Sequence, residues 1–106
     1  MKKIYLISSI IDNKILYKIG ISKSPKTRFK QLKTGNPGLI DIVIESEVGK
    51  YASKVEAVLH NLYKCKNING EWFELSKTDV NDFNNLCQRL KNNFVILEQS
   101  TLHDNF

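Results

Sequence analysis

The stretch Ile15-Leu16-Tyr17-Lys18-Ile19-Gly20-Ile21-Ser22 alternates with a period of two. Ile15, Tyr17, Ile19 and Ile21 share one face and Leu16, Lys18, Gly20 and Ser22 the other, which is the pattern of a half-buried strand. Glycine packs no side chain and weakens a strand, so Gly20 suggests that something must come close to the backbone there. Lys18 beside it is a candidate for the charged half of a site. In the preceding segment Ile4, Leu6, Ser8 and Ile10 alternate with Tyr5, Ile7 and Ser9, and Asp12-Asn13 forms a two-residue turn tolerant of positive φ. Pairing across that turn sets Ile11 opposite Lys14, Ile10 opposite Ile15, Leu6 opposite Ile19 and Ile4 opposite Ile21. One face becomes apolar throughout. The other places Tyr5 opposite Gly20 and diagonal to Lys18, about 7–8 Å between backbones and within reach of long side chains. A slip of one residue would scramble both faces, which specifies the register. The bland reading of the same hairpin is an ordinary strand tyrosine and a solvated lysine.

A chain of 106 residues is expected to form a single domain, 1–106, with one core and no room for a separate recognition domain. The net charge of +5 matters through its distribution. Lys14, Lys18, Lys23, Lys26, Arg28, Lys30 and Lys33 follow one another without an intervening acid, a surface suited to phosphates; a solvated helix face is the alternative. Cys65 and Cys87 form neither a close-spaced metal motif nor a disulfide framework, and with His60 and His103 they match no zinc spacing. Reduced thiols and an intracellular location, cytoplasmic or nuclear, are expected. Met1-Lys2-Lys3-Ile4-Tyr5-Leu6-Ile7 mimics the start of a secretory signal, but Ser8-Ser9 breaks its apolar run and Asp12-Asn13-Lys14 ends it without a cleavage site. No stretch is long enough to span a membrane.

Beyond the hairpin, Ser24-Pro25 marks a helix start, with serine accepting from first-turn amides, and the helix runs to Thr34 with Gly35 as a left-handed cap. It buries Phe29 and Leu32, which holds the neighbouring Arg28 more firmly than the lysines around it. Leu39–Glu47 alternates as a third strand. From Tyr51 to Lys64 a helix carries Val55, Val58, Leu59 and Leu62 as its apolar stripe, with Glu56, His60 and Tyr63 along one border. There a carboxylate is partly buried yet can reach a ligand; a plain surface Glu-His pair is the alternative. Lys66–Gly70 reads as a polar turn and Glu71–Leu75 as a last strand or extended segment, with Trp72 in the core. Ser76-Lys77-Thr78-Asp79 opens a third helix, about 77–92, that buries Val80, Phe83, Cys87 and Leu90. The tail 93–106 reads as a docked short strand with a frayed end. These elements define an α+β fold, a small and mostly antiparallel central sheet of three to four strands flanked by about three helices.

With Tyr5, Lys18-Ile19-Gly20, Arg28 and Glu56 in order, the chain resembles the GIY-YIG nuclease superfamily. It is most similar to the small single-domain branch labelled meiotically up-regulated gene 113, common in phages and viruses. The likeness covers about residues 3–76. Leu32-Lys33-Thr34-Gly35-Asn36-Pro37, Glu56-x-x-x-His60 and Gly70-Glu71-Trp72-Phe73 add to it. The resemblance implies that Lys3-Ile4-Tyr5 stands at the first tripeptide, so that Tyr5 is the hydroxyl beside the scissile phosphate. Lys18-Ile19-Gly20 stands at the second, with lysine in place of tyrosine. It further implies that Arg28 is the helix arginine, Glu56 the metal-binding glutamate and His60 a histidine frequent in this branch. The asparagine that many members carry on a later strand has no counterpart; Asn67 and Asn69 are too loosely placed.

Phosphodiester hydrolysis needs an activated water, charge stabilisation at phosphate and help for the departing oxygen. One Mg2+ or Mn2+ per site, held by Glu56, suits a single carboxylate. Arg28 can fork onto phosphate oxygens. Tyr5 would take a proton only if Lys18 and the metal favour its phenolate, since its ordinary pKa is about 10. Lys23, Lys26, Lys30 and Lys33 are the expected backbone contacts on DNA, with RNA not excluded. A single-ion site cuts one strand, so double-strand cleavage would take a homodimer or a larger protein partner. The reading from a different class is a nucleic-acid-binding module on the same scaffold without turnover. A protein-interaction domain using Trp72 and the tail has little support.

Overall fold

In the computed structural model of the chain, Asp12 and Asn13 both take positive φ, 51° and 63°. That left-handed pair lets a two-residue turn match the twist of the strands it joins. Those strands, β1 (Lys3–Ile11) and β2 (Lys14–Ser22), pair antiparallel in the expected register, with Tyr5 opposite Gly20 and Ile4 opposite Ile21. There follow α1 (Pro25–Gly35), β3 (Leu39–Ser46), a 3₁₀ turn at Gly49–Tyr51, and α2 (Ala52–Leu62). A second 3₁₀ turn at Lys64–Lys66 leads into β4 (Asn67–Asn69), β5 (Trp72–Phe73) and α3 (Lys77–Asp104). The structure describes residues 1–104, with side chains through residue 100.

The strands form one five-stranded antiparallel sheet in the order β3-β1-β2-β5-β4. The fold is α+β, with more strands than the three to four expected, because Asn67–Asn69 pairs with β5 instead of forming only a turn. Its hairpin depends on a side chain: Asn67 Nδ2 donates to the carbonyls of Gly70 at 2.7 Å and Trp72 at 3.2 Å, and Gly70 takes φ 56°. Hydrophobic alternation carries no trace of such a device.

β1 lies inside the sheet, and its residues Ile4 to Ser9 are buried on both faces. On one face Ile4, Leu6 and Ile19 pack with Val55 and Leu59 of α2, Phe73 of β5, and Phe83 and Cys87 of α3. Each fully buried large side chain contributes about 1.5–3 kcal/mol, so this cluster dominates the stability. On the other face Tyr5, Ile7 and Leu39 pack with Phe29 and Leu32 of α1 and with Trp72. The face expected to be spare is therefore a second, smaller core. At the hairpin tip Ile10 and Ile15 are 54% and 52% exposed; the apolar face does not stay covered throughout.

Four expectations about the helices change. Ser24 bonds the Thr27 hydroxyl at 2.9 Å in place of a first-turn amide. Gly35 is not a left-handed cap: α1 continues through it, and Asn36 ends the helix with its N–H on the Lys33 carbonyl. In α2 the buried stripe is Ala52, Val55 and Leu59, continued by Tyr63, while Leu62 is 55% exposed. The larger Tyr63 ring takes the inward place beside Phe73, 6.4 Å between centroids.

The fourth concerns α3, which begins with the expected reciprocal cap. The Ser76 N–H donates to Asp79 Oδ2 at 2.9 Å and the Asp79 N–H to Ser76 Oγ at 3.0 Å. It does not stop near residue 92 before a strand. Val95-Ile96-Leu97 is helical, because Phe94 stacks on Tyr51 with centroids 6.0 Å apart and Glu98 accepts from Lys50 Nζ at 2.6 Å and from the Tyr51 hydroxyl. Of the expected frayed end, residues 105–106 lie outside the described residues. Cys87 is packing, as expected, and burial pushes its thiol up to about 12. Among the described residues no helix is long and apolar enough to cross a membrane.

Candidate active site

The pairing of β1 with β2 fixes the first element of the site. Tyr5 is 2% exposed, and its ring lies over Gly20: a Cβ added there would fall 2.5 Å from Tyr5 Cζ. What approaches the backbone at Gly20 is the chain's own tyrosine. Burial holds the Tyr5 phenol above its ordinary value of 10.0, and a hydrogen bond from Arg28 works against that rise. Arg28 itself is exposed, one turn into α1, where the packing of Phe29 and Leu32 fixes the helix.

The second element comes around the edge of the sheet. β2 pairs with β5 only at Tyr17↔Phe73 and Lys18↔Trp72, with one further bond from the Ile19 N–H to the Glu71 carbonyl. Where this pairing ends, α2 brings its border alongside. His60 Nε2 donates to the Ile19 carbonyl at 3.1 Å, and the imidazole meets Phe73 edge-on with centroids 5.1 Å apart. A carbonyl only accepts, so Nε2 carries a proton, and in the neutral ring the lone pair is left on Nδ1. Glu56, one turn earlier, is half-buried. Desolvation raises its pKa, the charge of His60 lowers it, Glu71 raises it and Lys18 lowers it.

Tyr5, Lys18, Arg28, Glu56 and His60, drawn from two strands and two helices, thus act on one another. Tyr5 feels Arg28 and Glu56, and Glu56 feels His60 and Lys18. One expected contact differs. Lys18 does not turn to the phenol; its side chain, 12% exposed, ion-pairs with Glu71 Oε2 and lies 5.8 Å from the centre of the Trp72 ring. Arg28 is the cation at the phenol. Trp72 is half-buried in the smaller core, so its expected core place holds only in part.

Glu71 is the residue that sequence reasoning missed. One ligand atom each from Glu56, His60 and Glu71 lie within 4.8 Å of one another. Two carboxylates and an imidazole form a donor set that fits a divalent cation. Glu71 stood in the sequence beside Trp72 in Gly70-Glu71-Trp72-Phe73, but nothing in its spacing tied it to Lys18, 53 positions earlier. Asn67, already committed to the β4–β5 turn, is structural.

The basic run divides in two. Lys14 and Lys18 pair with Glu74 and Glu71, whereas Lys23, Lys26, Arg28, Lys30 and Lys33 are exposed and enter no ion pair among the described residues. A groove of about 400 Å³ runs between α1 and β3, with Lys26 and Lys30 on one wall and Asp41 and Glu45 on the other; none of the five site residues lines it.

No curated protein and no solved structure matches the chain. A family model does, across residues 2–88, which takes in the sheet, α1, α2 and every residue of the candidate site. The chain therefore belongs to the T5orf172 domain family, a group of phage-associated, nuclease-like domains.

Proposed function

We propose that the chain is an endonuclease that hydrolyses DNA phosphodiester bonds through a site of the GIY-YIG type. The observation that supports this best is a buried Tyr5 phenol that feels both the Glu56 carboxylate and an exposed Arg28, a guanidinium held in no ion pair among the described residues. Arg28 forks onto the non-bridging oxygens of the phosphate and fixes it against Tyr5. Tyr5 accepts the proton of the attacking water. Because burial disfavours its phenolate, the reactive form is a minority that Arg28 enlarges. Glu56 would hold Mg2+ or Mn2+, one ion per site, which supplies positive charge against the charge that develops on phosphate. Lys18 acts on Glu71 and the α2 border and not on the phenol. Lys23, Lys26, Lys30 and Lys33 hold the backbone of the duplex beside the site.

The protonated phenol of the free protein favours a second reading, a nucleic-acid-binding module without turnover. Supercoiled plasmid incubated with the protein and Mg2+ separates the two. Nicking that disappears in Glu56→Ala and in Arg28→Ala supports the nuclease. Retardation of the plasmid on a gel with no nicking under Mg2+ or Mn2+ supports the binding module, and equal nicking by both variants refutes the assigned site.

A further inference from the structure

We propose that Glu71 and His60 complete, with Glu56, a three-ligand cation site that binds Mn2+ more tightly than Mg2+, and that Lys18 holds Glu71 in place for it. The proposal rests on the reading of Glu56 as a cation ligand given above, and it goes beyond a single carboxylate. One donor atom from each of the three residues lies within 4.8 Å of the others. Ligands around one ion at about 2.1 Å are separated by at most about 4.2 Å, so the cluster closes through a small adjustment of its freest member. Glu71 is that member, with a side chain 47% exposed.

Two contacts prepare the set for an ion. The Nε2–H of His60 donates to the Ile19 carbonyl, which orients the ring and, in the neutral imidazole, keeps the lone pair on Nδ1 for an ion. Ligating histidines are commonly fixed in this way by a backbone carbonyl on their second nitrogen. Lys18 occupies only Oε2 of Glu71, and a carboxylate has lone pairs to spare on its other oxygen. The ion pair thus aims Glu71 at the α2 border without using it up. The chemistry of the set decides the ion: Mg2+ favours an all-oxygen, water-rich shell, whereas an imidazole nitrogen beside carboxylates suits a first-row transition ion.

Calorimetric titration of the full chain with MnCl2 and with MgCl2, beside Glu71→Gln and His60→Gln, tests this. One Mn2+ per chain is expected, held at least tenfold more tightly than Mg2+, with Glu71→Gln weakening Mn2+ by at least about tenfold, the loss that removing even a residue behind a ligand brings, while circular dichroism stays native. Substoichiometric Mn2+ should broaden the His60 ring protons in the NMR spectrum of the wild type, a readout that needs no variant to fold. Unchanged Mn2+ affinity in Glu71→Gln, equal affinity for the two ions, or an unbroadened His60 ring would overturn the proposal. Mn2+ binding that depends on Glu71 in a protein that nicks no plasmid supports this site and refutes the nuclease. Nicking by a protein whose Mn2+ affinity ignores Glu71 does the reverse.

Discussion

Gly20→Ala is the sharpest probe of the site, because the new methyl group meets only one side chain. Gly20 lies in a regular strand without positive φ, so alanine strains no backbone. The three nearest atoms to the added Cβ all belong to Tyr5, with Cζ at 2.5 Å and Cε1 at 3.0 Å. The ring is 2% exposed in the smaller core and has nowhere to retreat without disturbing Phe29, Leu32 and Trp72. Overpacking of this kind costs about 1–3 kcal/mol. For a domain of this size each kcal/mol lowers Tm by about 4–8 °C. In a Tyr5→Leu background the Cζ and the hydroxyl are gone, and the same alanine should be neutral or stabilising by up to about 1 kcal/mol. Urea unfolding of the four proteins in this cycle should therefore give a coupling of about 1–3 kcal/mol between positions 5 and 20. Plasmid nicking by Gly20→Ala should fall by up to about 100-fold, as expected for a reacting group displaced by about 1 Å. Equal losses of stability from Gly20→Ala in both backgrounds would refute the reasoning, since the damage would not then pass through the ring.

Three further outcomes follow from the same geometry. Burial raises the Tyr5 phenol above 10.0, so the nicking rate should climb about tenfold per pH unit from pH 6 to 9 without levelling; a plateau below pH 8 would give the proton transfer to another group. Desolvation raises Glu56 above its ordinary 4.5, so the native state binds more protons than the unfolded one and loses stability as pH rises through the native value. Glu56→Gln should thus raise Tm by a few degrees at pH 7 in a chelated buffer, an advantage absent below about pH 4.5, and a lower Tm at pH 7 would show the carboxylate to be stabilising. Each of Lys26→Ala and Lys30→Ala should reduce the slope of log affinity for duplex DNA against log salt by about 0.9, with no change of sequence preference, whereas an unaltered slope would remove α1 from the interface.

The hairpin was legible in the sequence because its information is local. Two turn residues that tolerate positive φ and a strict alternation on either side leave one register, and Tyr5 opposite Gly20 follows from it. The three helices were legible for the same reason, from apolar spacing and the Ser76–Asp79 cap. Element ends were not. α2 chose Tyr63 over Leu62, and α3 ran on past residue 92, because partners far away in the chain, Phe73, Tyr51 and Lys50, made those choices favourable.

The same division runs through the site. Which residue types are candidates for the chemistry, a phenol, a guanidinium, a lysine and a carboxylate with a histidine one turn on, was legible from their order along the chain. Who touches whom was decided only when β2 ran out of pairing with β5 and α2 moved in beside it. That packing gave Lys18 to Glu71, left Arg28 to the phenol and brought a second carboxylate to Glu56. Alternation and helical period report which face a side chain takes on its own element, but an ion pair across 53 positions depends on how elements dock, and no local pattern encodes that.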